Sequence, residues 1–318
     1  MGKKDTKAKE YLSDNNRFAD LCNFVLFQGE QVIKAETLTE KDTTEALSVL
    51  GIDDEEIEFQ KWRDLLKSVV VKRNKDVVFV LIGVENQSDI HYAMPVKNMI
   101  YDALNYGSQV KESAKKHREK HDKLTSAEFL SGFQKSDKLT PVITITLYWG
   151  AENWNGPRRL HDMFENPDEM LLKYIPDYHI NLVVPKEIDD FDKFQTALRE
   201  VLAVIKVSDD KEQMKQLLFS NPMYQRMDNE SVAAINALIG TAIPLNKTEG
   251  VTNMCKAWDD LMNEGREEGR IKGREEGRIK MIADFLLNGG TQEQAKTMLK
   301  ASDAEIEAAC GMLPVNVN

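Results

Sequence analysis

Two apolar runs separated by a short polar turn constrain the fold of this chain most. Residues 63–72 and 76–85 carry the β-branched and aromatic residues that are typical of strands, and the turn lies at 73–75. This spacing predicts an antiparallel β-hairpin, in which the start of one strand lies beside the end of the other. Asp64 and Glu85 are therefore expected at the same end of the sheet, close enough to share one cation.

Two carboxylates that face one point suit a divalent ion. Mg²⁺ prefers hard oxygen ligands, keeps several waters and takes further ligands from a substrate phosphate. The hairpin therefore predicts a metal-dependent nuclease that uses Mg²⁺, with Mn²⁺ as an alternative ion. The competing interpretation of Asp64 and Glu85 is that both are strand-end acids facing solvent.

The pattern of apolar residues over the rest of the chain predicts helices that flank a mixed sheet. Helices are expected over 8–27, 37–50, 94–123, 190–205, 209–218 and 227–239, and further strands near 57–62, 140–149 and 178–184. Pro95 is expected in the first turn of its helix, because proline is poorly tolerated further inside. Residues 1–9 are expected to be frayed.

The C-terminal tail contains an internal repeat. The sequence Gly-Arg-Glu-Glu-Gly-Arg-Ile-Lys occurs at 265–272 and again at 273–280, inside a helix predicted over 254–288. Each interior glycine costs about 1 kcal/mol relative to alanine, and each favourable Glu–Lys pair returns only about 0.2–0.5 kcal/mol. The tail is therefore expected either to dock through its glycine-lined face or to stay partly dynamic. A short helix capped by Thr291 and another over 302–312 are expected to follow.

Several short blocks of polar, aromatic and glycine residues surround the hairpin. They lie at 16–23, 63–67, 83–95, 98–103, 148–150 and 154–157. In these blocks and in its Glu-Gly-Arg-rich tail, the chain resembles the recombination-promoting nuclease/putative transposase family of the PD-(D/E)XK nuclease superfamily. The resemblance covers most of the chain. It implies an α/β fold with a restriction-endonuclease-like core, a mixed β-sheet flanked by helices, and a C-terminal helical tail.

The resemblance also implies roles for individual residues. Asp64, Glu85 and Gln87 would be catalytic, and Asp64 and Glu85 would bind Mg²⁺ with Asp20 as a supporting ligand; the alternative for Asp20 is a helix surface charge. Gln87 stands where most of the superfamily carries lysine, although the named family is similar in using glutamine. Glutamine can hydrogen-bond a water but brings no positive charge.

The candidate DNA-binding residues carry a positive charge or a phenol hydroxyl. They are Tyr101, Lys111, Lys115, Lys116, Arg118, Arg158 and Arg159. The alternatives are a solvated helix face for the cations and an amphipathic core position for Tyr101. His117 and His121 share a helix face, but no glutamate directly follows the first histidine and no third ligand is evident. A solvated face is therefore favoured over a zinc site.

Bulk composition limits the partners. A formal net charge of −11 means that any DNA contact must be a local basic patch. Cys22, Cys255 and Cys310 lack the spacing of a zinc site or a disulfide framework, and Cys22 is expected to pack as a small hydrophobe. The apolar run 77–84 is too short to cross a bilayer, and no signal peptide is evident. We therefore expect a cytoplasmic protein with no membrane association.

Three segments are expected in the chain. They are a PD-(D/E)XK nuclease-like domain over 8–218, a helical connector over 219–250 and a charged helical tail over 251–318. The expected function is a Mg²⁺-dependent DNA endonuclease of low sequence specificity, associated with recombination or transposase-like DNA processing, because no sequence-reading motif is evident. The alternative is a catalytically weak or inactive nuclease-fold protein whose tail self-associates into a homo-oligomer or binds a partner.

Overall fold

The computed structural model of the protein describes residues 3–41, 64–73 and 76–313. The chain divides into two compact units, Met1–Cys255 and Lys256–Asn318. The strand predicted near 57–62 and most of the helix predicted over 37–50 lie outside the described residues. The three segment boundaries drawn from the sequence stay predictions.

A five-stranded sheet forms the centre of the first unit. Its strands are β1 (Thr39–Glu40), β2 (Leu65–Arg73), β3 (Asp76–Gln87), β4 (Val142–Tyr148) and β5 (Asn181–Val183), and they lie side by side in this order. β1, β2 and β3 are antiparallel neighbours, whereas β3, β4 and β5 run parallel. The expected mixed sheet of an α/β protein is confirmed, and its finer assignment to the PD-(D/E)XK fold stays a prediction.

Helices flank this sheet along the first unit. They are α1 (Lys3–Ser13), α2 (Asn15–Phe27), α3 (Met94–Lys120), α4 (Ser126–Ser131), α5 (Glu169–Leu172), α6 (Leu198–Lys206), α7 (Lys211–Ser220) and α8 (Asn229–Ile239). A small antiparallel pair, β6 (Met227–Asp228) and β7 (Val251–Thr252), borders α8. The helix expected from residue 190 begins only at Leu198, after a short 3-10 helix over Phe191–Lys193.

The expectation of a frayed N-terminus was wrong, since α1 begins at Lys3. Ala8, Tyr11 and Leu12 share one face of α1 at helical spacing, and all three are buried. The hydroxyl group of Tyr11 lies 2.8 Å from Oγ of Ser231 in α8, within the core. The single helix predicted over 8–27 is two helices, because the Asp14 carboxylate accepts hydrogen bonds from the first N–H groups of α2.

Helix α3 is fixed on strand β4. It begins at Met94 with Pro95 in its first turn, as the sequence predicts. Nδ2 of Asn98 donates a buried 2.8 Å hydrogen bond to Oγ1 of Thr146 in the middle of β4. The first turns of α3 are therefore held in place above the sheet.

The second unit contains most of α9 (Met254–Leu287), followed by α10 (Gln292–Met298) and α11 (Asp303–Gly311). Thr291 caps α10 as expected, and Ser302 caps α11 through the same capping-box pattern. The end of α9 packs with the two short helices around a small apolar cluster that includes Ile282, Ala295, Ile306 and Ala309. Residues 263–277, which contain most of the repeat, are exposed. In the described ranges no helix is long and apolar enough to cross a membrane.

Candidate active site

Asp64 and Glu85 lie at one end of the β2–β3 hairpin. Leu65 at the start of β2 pairs with Val84 near the end of β3. Asp64 directly precedes the first of these residues and Glu85 directly follows the second, so the two acids stand opposite one another. On the other side of β3, Glu85 pairs with Thr146 of β4. The centre of the sheet thus supports the strand end that carries the two acids.

One pocket receives these acids. It has a volume of about 240 Å³ and is lined by Asp5, Asp64, Glu85, Asn86, Gln87, Ser88, Asp89, Ile90, His91 and Lys97. The sequence-predicted catalytic residues Asp64, Glu85 and Gln87 therefore share one cavity. Its size suits an ion together with a phosphate group better than a large organic cofactor.

The Asp64 carboxylate is oriented by the strand that carries Glu85. The backbone N–H of Asn86 donates a 2.8 Å hydrogen bond to Oδ2 of Asp64. Burial raises the pKa of Asp64 above its ordinary value, and the hydrogen bond from Asn86 and the charges of Lys97 and Lys9 oppose part of this shift. The site thus keeps an acid whose charged form is disfavoured by desolvation, which is common at functional sites.

The Glu85 carboxylate is almost completely buried and faces a cation. Its side chain is 3% exposed, and Nζ of Lys97 lies 2.8 Å from Oε2. Lys97 comes from the first turn of α3, so this ion pair also links the helix to the end of β3. His91 lines the same pocket, and burial followed by the charge of Lys97 lowers its pKa. The arrangement favours a neutral imidazole beside the ion pair.

Trp149 holds the end of β3 through hydrogen bonds to Asn86 and Gln87. Nε1 of Trp149 donates a 2.9 Å hydrogen bond to Oδ1 of the buried Asn86, and the backbone N–H of Trp149 donates to the carbonyl of Gln87. Side chains alternate across a strand, so anchoring Asn86 on one side fixes Glu85 and Gln87 on the other. This anchoring supports a rigid placement of the acids.

A cluster of aromatic and apolar side chains borders the pocket through Ile90, which lines the pocket and packs against the cluster. Met94, Tyr148 and Trp154 are buried in one cluster, in which Tyr148 and Trp154 meet edge to face at 5.4 Å between ring centroids. Gly150 runs close to the Tyr148 ring, and a Cβ atom at this position would lie 2.1 Å from the tyrosine hydroxyl oxygen. Several blocks that carry the family resemblance therefore meet in this apolar cluster.

A comparison with protein-family models identifies the family to which the chain belongs. The model described as "Putative transposase, YhgA-like" matches residues 54–231, more than half of the chain. The chain belongs to this family. The match confirms the resemblance drawn from the sequence, and it spans Asp64, Glu85 and Gln87. Searches of curated proteins and of solved structures give no significant match.

Asp20 does not reach the pocket in this YhgA-like family member. Its buried carboxylate accepts hydrogen bonds from the backbone N–H groups of Gln195 and Thr196 and from the hydroxyl of Thr196, at 2.6–3.0 Å. These bonds satisfy backbone donors just before α6, and Asp20 is not among the residues that line the pocket. A supporting-ligand role for Asp20 therefore stays a prediction that these hydrogen bonds do not favour.

Tyr101 and the candidate DNA-binding cations of α3, namely Lys111, Lys115, Lys116 and Arg118, are not among the pocket-lining residues. Tyr101 is 7% exposed, with Nζ of Lys97 5.7 Å from its ring centroid. Lys111 lies about 20 Å further along the helix than Lys97, at 1.5 Å per residue. Lys115 and Lys116 form ion pairs with acids one turn away on the same helix, and Lys111 and Arg118 lie exposed on the same stretch. The structure therefore gives these residues no direct role at the pocket.

The two arginines after Pro157 also face acids. Arg158 forms an ion pair with Glu187, and Nε of Arg159 lies 2.8 Å from Oδ1 of Asp162. Both arginine side chains are about half exposed. Their role in DNA binding stays a prediction that their present partners do not favour.

His117 is not a solvated residue. Its Nδ1 atom lies 2.7 Å from Oδ2 of Asp122 and its Nε2 atom 2.8 Å from Oδ2 of Asp137, so the ring clasps the end of α3 to the following loop. His121 ends α3 in the left-handed conformation, with φ of 51°. No group of three or more His, Cys, Asp or Glu side chains in the described part of the chain is arranged to hold a metal. The expected solvated face is therefore corrected for His117, and the zinc interpretation gains no support.

Sequence reasoning missed three residues of the pocket that bear on its chemistry. Asp5 on α1 lines it and accepts a 2.6 Å hydrogen bond from Oγ of Ser88. Asp5 was missed because its segment reads as frayed. Lys97 and His91 lie inside or beside the blocks of the family resemblance, and Lys97 precedes Tyr101 by one helical turn. That spacing is the signal that could have identified Lys97.

Proposed function

We propose that the protein is a Mg²⁺-dependent DNA endonuclease of low sequence specificity, in which Mn²⁺ can replace Mg²⁺. The observation that carries this proposal is the shared pocket of Asp64, Glu85 and Gln87 at the end of the β2–β3 hairpin. Membership of a transposase family suggests a DNA-processing enzyme and implies an interaction with DNA. A role in recombination or transposase-like processing is the natural context for such an activity.

The donor set of the pocket fits a divalent ion. Both predicted ligands offer hard carboxylate oxygens, and Oε2 of Glu85 lies 2.8 Å from the ammonium nitrogen of Lys97, so a positive charge already neighbours this oxygen. Mg²⁺ is usually held by one or two carboxylates, with water and phosphate completing its shell. Two acids that share an open pocket therefore satisfy its requirements better than they would those of zinc, which needs a closed set of protein ligands in structural sites.

Each residue has a distinct task in the proposed reaction. A bound divalent ion would polarise a phosphate oxygen and lower the pKa of a bound water. Asp64 is held by the Asn86 N–H, so its carboxylate enters the reaction already oriented. Gln87 offers an amide that can hydrogen-bond a water on the pocket side of β3. A fixed carboxylate and a fixed amide reduce the reorganisation needed during the reaction.

The charge distribution supports weak and salt-sensitive DNA binding. The chain has a net charge of −11, and many of the candidate basic residues already face acids. Affinity for DNA depends largely on how many phosphates the protein neutralises. The acids that face Lys115, Lys116, Arg158 and Arg159 therefore favour low affinity for DNA and little discrimination between sequences.

A plasmid-nicking assay tests this function. Wild-type protein should nick supercoiled plasmid with Mg²⁺ or Mn²⁺ and stay inactive with a chelator, whereas Asp64→Asn and Glu85→Gln should be inactive. Asp20→Asn is the matched control, because it makes the same chemical change away from the pocket, and it should keep its activity. Equal nicking by wild type and the two pocket variants would rule out this site.

One observation favours the second candidate function, an inactive nuclease-fold interaction protein. The Lys97 ammonium supplies Glu85 with a counter-charge from within the protein, so the acid can be kept without any metal. In that case neither Mg²⁺ nor Mn²⁺ should bind to the intact protein in calorimetry. Binding that disappears in Asp64→Asn would instead support the nuclease.

A further inference from the structure

The described pocket combines several acids with one ammonium group. The acids that line it are Asp5, Asp64, Glu85 and Asp89. Of the ten lining residues in the described part of the chain, one is a lysine or arginine, namely Lys97. A phosphodiester that enters such a pocket meets strong negative charge. Cleavage adds negative charge to the oxygens around phosphorus, so a nearby positive group favours the transition state more than the ground state.

Position 87 does not supply this charge. Gln87 lies two residues after Glu85, and its amide is neutral. Lys97 lines the same cavity, although it belongs to the following helix, α3. The cavity therefore contains the neutral side chain of Gln87 from β3 and the positively charged side chain of Lys97 from α3.

The position of Lys97 is well fixed. Nζ lies 2.8 Å from Oε2 of Glu85 and 5.7 Å from the centroid of the Tyr101 ring, which is within the range of a cation–π contact. The next residue, Asn98, ties the same helical turn to Thr146 of β4. The Lys97 side chain is 26% exposed, so it is held by the protein but is still open to a ligand in the pocket.

We propose that Lys97 is a catalytic residue that contacts the scissile phosphate and supplies the positive charge that Gln87 lacks. This inference rests on the proposed nuclease function. The oxygen of the attacking water forms the new bond to phosphorus and loses its proton to solvent. The bond from phosphorus to the leaving sugar oxygen breaks with its electron pair, and that oxygen takes a proton from solvent. Lys97 stays protonated throughout and transfers no proton.

The experiment compares four proteins: wild type, Lys97→Met, Lys97→Arg and the double variant Gln87→Lys with Lys97→Met. Single-turnover cleavage of a labelled duplex is measured at saturating Mg²⁺. Lys97→Met should cleave about 10²–10³-fold more slowly, the loss typical for one charge-stabilising group. Lys97→Arg should retain most of the rate. Lysine at position 87 in the double variant should restore at least about tenfold, because it offers a cation to the same cavity.

Calorimetric titration with Mg²⁺ is the readout that is independent of cleavage. Lys97→Met should bind the ion at least as tightly as wild type, because the competing ammonium is removed from Glu85. Thermal unfolding of each variant identifies any that fail to fold, and Lys97→Arg then carries the comparison. If Lys97 had only a structural role, Lys97→Met would lower both the thermal stability and the Mg²⁺ affinity. Lysine at position 87 would then restore none of the cleavage rate.

The two hypotheses fail in different ways. If wild type does not cleave with either Mg²⁺ or Mn²⁺, the nuclease function fails and the role of Lys97 falls with it. If wild type cleaves, Asp64→Asn does not, and Lys97→Met cleaves within about threefold of wild type, only the role of Lys97 is overturned. Loss of Mg²⁺ binding in a folded Lys97→Met protein, or no rescue in the double variant, overturns it as well.

Discussion

The backbone N–H of Asn86 donates a 2.8 Å hydrogen bond to Oδ2 of Asp64, so the strand that carries Glu85 also orients the acid opposite it. The relationship crosses the hairpin and does not depend on any side chain of β3. It therefore survives replacement of Asp64 by asparagine, whose Oδ1 can accept the same bond. This allows the charge of Asp64 to be tested apart from its geometry.

Asp64→Asn should stabilise the metal-free protein. Burial raises the pKa of Asp64, so the folded state favours the protonated form, and the stability gained from that form is lost as pH rises through the folded pKa. At neutral pH the ionised carboxylate therefore costs stability. We expect a higher Tm for Asp64→Asn at pH 7 without metal, and no further rise when Mg²⁺ is added. A lower Tm than wild type under these conditions would contradict this account of the site.

Asp20→Ala should weaken the fold without affecting the pocket. It leaves the backbone N–H groups of Gln195 and Thr196 and the Thr196 hydroxyl without their acceptor, in part-buried hydrogen bonds, which should cost about 2 kcal/mol in the free energy of unfolding. Urea unfolding measures this loss, with Asp14→Ala as a control that removes the N-cap of α2 at an exposed position and should cost about 1 kcal/mol. Mg²⁺ affinity should stay at the wild-type value. A drop in affinity with unchanged stability would return Asp20 to the metal site.

The His117 clasp should make stability depend on pH. Both ring nitrogens face carboxylates, and the hydrogen bonds to Asp122 and Asp137 raise the pKa of His117. Hydrogen bonds from Ser113 and then His117 lower the pKa of Asp137 to about 2. The stabilisation is therefore fully present between about pH 4 and about pH 6.5, the ordinary pKa values of aspartate and histidine. It is lost as pH rises through the raised pKa of His117 or falls through the lowered pKa of Asp137.

The measurement is the Tm of wild type and of His117→Ala across this pH range. The difference in Tm between the two should be largest in mild acid and should shrink towards alkaline pH. His121→Asn is the control, because it removes a histidine one turn away and asparagine tolerates the left-handed conformation found there. A Tm difference that stays constant with pH would show that the clasp is not charged.

The hairpin could be predicted because its signal is local. Two strand-like runs with a short turn fix the register, and the register brings Asp64 opposite Glu85. The start of α3 was predictable for the same reason, since Pro95 is tolerated only in a first turn. Both predictions depended on residues close together in sequence.

The contacts that were not predicted join residues that are distant in sequence. Asp5 faces Ser88 and Asp20 faces Thr196, and no local pattern indicates either pairing. The formation of helix α1 similarly depends on the contact of Tyr11 with Ser231, which is distant in sequence. The charged stretch at residues 1–9 is therefore predicted to be frayed when its partner in the fold is not known. Lys97 differs, because its helical spacing from Tyr101 was visible and was not used.

The glycines of the tail should be replaceable by alanine. Cβ atoms added at Gly269 and Gly273 of α9 would have no neighbour within 4 Å. Each replacement should stabilise the helix by about 0.5–1 kcal/mol, measured by thermal unfolding of the full chain followed by helical circular dichroism. Gly290→Ala is the opposing control, since its Cβ would lie 2.3 Å from the Phe285 ring. Destabilisation by alanine at 269 and 273, with loss of an oligomer in sedimentation, would show instead that this face packs against a second chain.

The central claim is that Asp64 and Glu85 together bind a divalent ion, and calorimetric titration with Mg²⁺ tests it most directly. We predict one binding event per chain in wild type and in Asp20→Asn, and none in Asp64→Asn or Glu85→Gln. Unchanged Mg²⁺ binding in both pocket variants, or no binding by the intact wild-type protein, would contradict the claim.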